Sequence, residues 1–205
     1  MKKSKILWIV GLCLPLLFAC GDDNDSGNKD SNSSGTADDA KKSLIIGKWC
    51  TTHLNGYITD MDGNKLETWN HDAVKGDMDH LNRYKEIEFT SDGRWDFWSQ
   101  NENGSPEIRG RLEKTMVGKW SVDGDYIVVT DIIEGYHNVK DYEEGKPVAP
   151  SIPEMRIKIL GLSATSCDLL RVQEVWNEKI HPDGGGESYV LEHGMGYETM
   201  TFKKM

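Results

Sequence analysis

From residue 44 onward, apolar and polar residues alternate with a period of two along most of the chain. Ile157 and Ile159 are interleaved with Arg156 and Lys158, the pattern of a strand with one buried face. Runs of this kind predict strands over 45–53, 56–59, 65–69, 83–89, 94–98, 108–114, 116–122, 126–133, 155–160, 167–176 and 197–203. Thr90-Ser91-Asp92-Gly93 reads as a type I turn with a glycine bulge, setting Phe89 opposite Trp95 with Ile87 and Phe97 on the same face. Glu86, Glu88 and Asp96 then point to solvent. A second hairpin turns at Asp123-Gly124-Asp125. The tripeptide Gly-Lys-Trp occurs twice, at 47–49 and 118–120, each time opening a strand-like run, and predicts two wall strands of one antiparallel barrel. Sustained helical periodicity is missing from the pattern, although 72–82 has room for a turn or two. About eight to eleven short strands in one domain predict a sandwich or an up-and-down barrel.

The first 43 residues follow other rules. Lys2, Lys3 and Lys5 precede an apolar run over 6–19, too short for the ~20 residues a spanning helix needs and proportioned like a signal sequence. A short membrane anchor that stays in place is the alternative. Leu17-Phe18-Ala19-Cys20 resembles the bacterial lipobox. That resemblance implies cleavage before Cys20 and acylation of its thiol and new amine, although Cys20 also reads as an ordinary signal-peptide cysteine like Cys13. Two or three acyl chains hold a protein stably where one holds it only marginally. Residues 20–43 then form an acidic linker, whose stretch from Gly21 to about Ala40 has no aromatic or branched aliphatic residue and is expected to stay unfolded. The cluster Asp22-Asp23-Asn24-Asp25 resembles the acidic tags that export some Gram-negative lipoproteins to the cell surface; a solvated linker is the plainer reading. The expected location is the outer membrane, on its periplasmic face or at the cell surface.

Charge narrows the partners. Loss of residues 1–19 removes three lysines and takes the net charge from −10 to −13. So acidic a surface repels phosphate backbones, which argues against nucleic acid. Residues 44–205 are enough for one domain with its own core, expected to be monomeric. After processing, Cys50 and Cys167 are the remaining thiols, either bridged or isolated, and no Cys-x-x-Cys pair suggests redox chemistry or zinc. Asp60-Met61-Asp62-Gly63-Asn64 lacks the spacing of a calcium loop and reads as a hairpin turn. Asp77, Asp79 and His80, with His71 nearby, read as a solvated loop rather than a cation site; His181 and His193 have no metal-ligand spacing. Neither a nucleophile elbow nor a catalytic Cys-His pairing is evident, and the carboxylates show no signal specific to glycoside hydrolysis. A non-catalytic protein without cofactor or metal is expected.

Several short landmarks, in order, point to one family. Gly47-Lys48-Trp49 resembles the opening of the lipocalins. Phe89-Thr90-Ser91-Asp92-Gly93, Gly118-Lys119-Trp120 with Gly124-Asp125, residues 162–172, and Thr201-Phe202-Lys203 resemble successive landmarks of bacterial lipoproteins with a lipocalin-like domain. Two long inserts, 55–82 and 134–153, depart from that pattern. The resemblance covers roughly 44–204 and implies an all-β, antiparallel up-and-down β-barrel of about eight main strands, with an extra hairpin and long loops. It also implies a cup able to take a small, mostly apolar molecule. Trp49, Phe89, Trp95, Phe97 and Trp120 are then the interior candidates, for ligand contact or simply for filling the floor. An alternative is a surface that binds a glycan or protein through Trp98, Tyr136, Tyr142 and the long loops. Trp69 and Trp176 fall at strand ends. On the face assignments, Trp98→Ala is expected barely to alter stability.

Overall fold

The structure, a computed structural model, describes residues 33–77, 83–101, 107–183 and 185–205. The leader, Cys20, the acidic cluster at 22–25, Asp79 and His80 lie outside the described residues.

Among the described residues nine strands follow one another: β1 (Gly47–Asp60), β2 (Lys65–Asp72), β3 (Lys85–Phe89), β4 (Arg94–Gln100), β5 (Leu112–Asp123), β6 (Tyr126–Glu134), β7 (Ile152–Leu162), β8 (Ser166–Ile180) and β9 (Tyr189–Lys204). All neighbours are antiparallel, in the order β2-β1-β3-β4-β5-β6-β7-β8-β9. Pairing of β9 back onto β1, from Trp49↔Lys204 to Asp60↔Gly194, closes the sheet. Eight strands make the barrel, and β2 adds to the outlying half of β1. The up-and-down barrel expected from the alternation and the family resemblance is what the chain forms.

The two ends of the barrel differ because their connections differ. At one end the turns at 90–93, 124–125 and 163–165 are tight, and the chain ends there after β9. Helix α1 (Ser33–Ile45) closes this end. Lys41 Nζ reaches Asp125 Oδ1 at 2.7 Å and the Gly124 carbonyl at 2.8 Å, and fully buried Ile45 offers its carbonyl to Trp49 Nε1 at 2.7 Å. Lys42 supplies a cation in the helix's last turn, where the dipole favours it, and its ammonium lies 5.7 Å from the Trp120 ring. Chain expected to be unfolded up to about Ala40 is therefore helical from Ser33. Ala, Lys and Leu favour the helix, and its apolar end gains burial that the linker composition alone does not reveal.

The floor is dense. Trp49, Phe89, Trp120, Ile127 and Phe202 pack with Ile45, the Phe89 and Trp120 rings meeting edge to face at 5.1 Å. Both Gly-Lys-Trp copies serve this floor, but the second lies near the end of β5 instead of opening a strand, because 112–114 and 116–122 are one strand with a register shift at Val117/Lys119. Gly118 sits at that shift, where an added Cβ would come within 2.9 Å of the Thr130 carbonyl oxygen.

The opposite end carries the long connections. There β1, β2, β8 and β9 run past the barrel as a four-stranded lobe with a small core of its own: Ile58, Val175 and Ile180, packed by Leu66, Trp69 and Leu191. The β8–β9 tip curls back onto β2. His181 N–H donates to Glu67 at 2.8 Å, while the Thr68 N–H and hydroxyl donate to Asp183 at 3.2 and 2.9 Å. Within the insert 134–153, residues expected to form a loop include a second helix, α2 (Tyr136–Glu143). It packs Val139 on the barrel's outer face against Val117 and Ile133.

The β3–β4 register is the expected one, with Phe89↔Trp95 and Ile87↔Phe97. Two of its outward carboxylates are nevertheless buried, not solvated. Glu86 is 1% exposed beneath Tyr84 and Lys75 on the crossing from β2, and Asp96 is 6% exposed between Arg94 and Lys114. Glu86 meets Lys48 at 2.7 Å, Lys75 at 3.0 Å and the Tyr84 hydroxyl at 2.9 Å. Burial pushes its pKa up, but these three donors outweigh burial and hold the carboxyl below its ordinary range.

Candidate functional site

Above the packed floor, the barrel keeps a cavity of ≈ 170 Å³. Its walls are inward positions of the alternation: Ile87 and Lys85 on β3, Trp95 and Phe97 on β4, Met116 on β5, and Met155 and Ile157 on β7. Ile132 on β6 joins them, turned inward out of phase with Ile127 and Val129 by a bulge at Asp131 (φ 54°). Ile152, Leu169, Met200 and Phe202 complete the apolar lining. Polar groups gather on the mouth side, where Lys85, Glu134, Arg171 and Gln173 also line the cavity. Arg171 Nη2 meets Glu198 at 2.8 Å and Lys85 Nζ lies 3.6 Å from the same carboxylate, so one acid joins two cations at the rim.

A second cavity of ≈ 170 Å³ lies on the inner face of the lobe. Arg171 and Gln173 line both spaces, so the chambers adjoin along β8. The outer chamber adds Ile58, Trp69, Val175, Glu178, Tyr197 and Glu198. Gly56 makes room for the indole of Trp69 on the paired strand: an added Cβ would stand 2.4 Å from Trp69 Cζ2 and 2.3 Å from the Tyr197 carbonyl oxygen. Only a residue without a Cβ allows that close approach.

The structure divides the interior candidates. Trp95 and Phe97 line the cavity; Trp49, Phe89 and Trp120 sit in the floor. Trp95 Nε1 is buried without a hydrogen-bond partner among the described residues, whereas Trp49 and Trp120 donate to the carbonyls of Ile45 and Thr90. The surface candidates are not gathered into one patch. Trp98 is on the outer face as expected, but half-buried, with Lys48 at 4.5 Å and Lys114 at 5.1 Å from its ring. Tyr136 and Tyr142 are exposed on α2, and Tyr142 borders a separate outer pocket of ≈ 220 Å³ with Arg94 and Lys119. Trp176, at 60% exposure, stacks on His193 with ring centroids 3.6 Å apart.

Of the two arrangements open to the thiols, the structure has the isolated one: Cys50 and Cys167 are both free. They pair with consecutive residues of β9, Lys203 and Phe202, and therefore sit on opposite faces of the wall. Burial raises the pKa of the Cys167 thiol to about 12. Asp60 is spent on its own turn, as the hairpin reading requires, accepting from the Asp62 and Asn64 amides at 3.0 and 2.9 Å and from the Asn64 side chain at 2.8 Å. Among the described residues no group of three or more His, Cys, Asp or Glu could hold a metal ion, and no helix is long and apolar enough to cross a membrane.

The fold thus defines the class: an eight-stranded up-and-down antiparallel barrel, closed at one end and open at the other. The sequence matches no family model and no curated protein. Among solved structures the chain is similar to a lipocalin-like protein from Bacteroides uniformis ATCC 8492, with 16% identity over 79% of this chain and 99% of that one and a TM-score of 0.36. It is also similar to a redesigned beta barrel, with 14% identity over 80% of this chain and 95% of that one and a TM-score of 0.32.

Proposed function

We propose that this protein is a non-catalytic binding protein that takes a small, mostly apolar molecule into the barrel, and that it is held at the outer membrane by a lipidated Cys20. The observation that carries the ligand reading is the cavity of ≈ 170 Å³ lined by Ile87, Trp95, Phe97, Met116 and Ile132, with charged groups only at its mouth. An engineered apolar cavity of about 150 Å³ takes up benzene, so the space suits a single ring or a short alkyl chain. That is below the ~300–1,000 Å³ of drug-sized sites, which keeps the buried part of any ligand small.

The test is a titration with 1-hexanol followed by NMR. The indole N–H signal of Trp95 shifts on binding, and Met116→Trp, which fills the cavity, abolishes the shift while the protein stays folded. An unmoved Trp95 signal, or a shift that survives in Met116→Trp, rejects the reading. The anchor rests on Leu17-Phe18-Ala19-Cys20 and the acidic linker. Metabolic labelling with a fatty-acid analogue marks the wild type and not Cys20→Ala; label on the Ala variant overturns it. Protease treatment of intact cells then separates surface from periplasmic display.

A further inference from the structure

The outer chamber says what the rest of the ligand is. Its neighbour is apolar except at the mouth, whereas the outer chamber mixes an indole with hydrogen-bonding groups of both kinds. Arg171 and Gln173 donate, Glu178, Glu198 and the Gln173 carbonyl oxygen accept, and Trp69 offers a flat apolar surface. The charges are balanced at close range: Arg171 and Lys85 surround Glu198, and Glu178 is exposed on the same strand as Arg171. An ionic head group of either sign meets a like charge there as well as an opposite one. Hydroxyls, which donate and accept, satisfy both kinds of group, and the C–H face of a sugar or polyol ring packs on an indole. On the boundary between the chambers, Arg171 Nε is buried with no acceptor among the described residues, its Nη2 being held by Glu198. A ligand oxygen at that boundary would supply one.

We propose that the two chambers form one bipartite site for an uncharged, hydroxyl-bearing amphiphile, its apolar part in the barrel and its polyol head against Trp69 between Glu178 and Arg171. This rests on the barrel's being a ligand site. Strand β8 is the common wall, carrying Leu169 to the apolar chamber, Arg171 and Gln173 to the boundary, and Val175 and Glu178 to the head-group chamber.

The probes are 1-hexanol, n-hexyl β-D-glucoside, hexanoate and hexyltrimethylammonium, titrated while the Trp95 and Trp69 indole signals are followed. Hexanol moves Trp95 alone. The glucoside moves both and binds at least about tenfold more tightly, whereas the two ionic probes bind no more tightly than hexanol. Trp69→Leu and Glu178→Ala each lose the glucoside's advantage and keep hexanol binding. Glu178 is exposed, so its variant reads the head-group contact even if Trp69→Leu loosens the lobe. If hexanol binds but the glucoside is no tighter, or hexanoate or the ammonium is the tightest, the head-group inference is overturned while the barrel reading stands. Failure of every probe to move Trp95 overturns the barrel reading itself.

Discussion

Replacing Trp49 and Trp98 with alanine separates what the barrel's two faces contribute. Trp49 is 1% exposed in the floor, and its Nε1 satisfies the Ile45 carbonyl at the point where α1 enters the barrel. Truncating a buried Trp costs about 3–5 kcal/mol, and here a buried acceptor is orphaned as well. For a domain of this size each kcal/mol lowers Tm by about 2–4 °C, so Trp49→Ala is expected to lose about 6–20 °C. Trp98 lies on the opposite face, where its contacts are two lysine ammonium groups over the ring. Exposed cation–π contacts are each worth about 0.5–1 kcal/mol, so the two together give a loss of about 2–8 °C for Trp98→Ala, more than the negligible change that alternation alone suggests. Lys48 keeps Glu86 as a partner in that variant, which limits the damage. Thermal melts followed by far-ultraviolet circular dichroism make the comparison. Equal losses for the two variants would refute the face assignment and with it the β3–β4 register.

Three other perturbations test separate parts of the structure. Glu86 has a folded-state pKa below its unfolded value, so its contribution is complete above the ordinary carboxylate range and is lost as pH falls through the lowered pKa; Glu86→Gln should therefore flatten the acid limb of the Tm–pH curve, and parallel curves would rule this out. Maleimide followed by peptide mapping should modify half-buried Cys50 in the native protein and reach Cys167, buried with a pKa raised to about 12, only after denaturation; native labelling of Cys167 would contradict its place in the core. Gly56→Ala drives a Cβ into the Tyr197 carbonyl and the Trp69 ring, an overpacking that costs about 1–3 kcal/mol, and it should shift the Trp69 indole signal. An unchanged melt and an unchanged Trp69 signal would show that the ring does not lie over Gly56.

Alternation made the walls legible, because a strand with one face in the core must place every second residue there. Ile157 and Ile159 on β7 and the Phe89, Trp95, Phe97 set on β3 and β4 follow it directly. Continuity was harder to read. Segments 45–53 and 56–59 are one strand, since the apparent break around Leu54 and Asn55 is crossed by pairing to β9 on one side and β2 on the other. The helices escaped because neither presents an amphipathic face: among the described side chains α1 buries chiefly Ile45 and α2 chiefly Val139. Buried Glu86 and Asp96 escaped for the complementary reason, that side chains from other segments, Lys48 and Lys75 over Glu86 and Lys114 over Asp96, join Tyr84 and Arg94 two residues away in covering them. The boundary of the two chambers did have a signal. Cys167 and Leu169 face inward, so the same period places Arg171 and Gln173 on the inner face, and a cation continuing an apolar inward series marks where the core stops.

That stopping point explains how one barrel can be stable and still hold space. Along β8 the inward positions pass from Cys167 and Leu169, buried in the core, through Arg171 and Gln173, to Val175 and Ile180 in the lobe's own small core. Apolar packing at both ends holds the strand in register, so the middle positions need not be filled for stability. The tight turns and α1 confine dense packing to the closed end, while the long connections leave the other end accessible. Stability and binding thus draw on different stretches of the same strands, which is why substitutions at Trp49 and at Glu178 should be separable: the first lowers Tm, and the second should alter head-group recognition at unchanged Tm. A Glu178→Ala variant that melts as early as Trp49→Ala would mean that the mouth is part of the folding core, and the separation would fail.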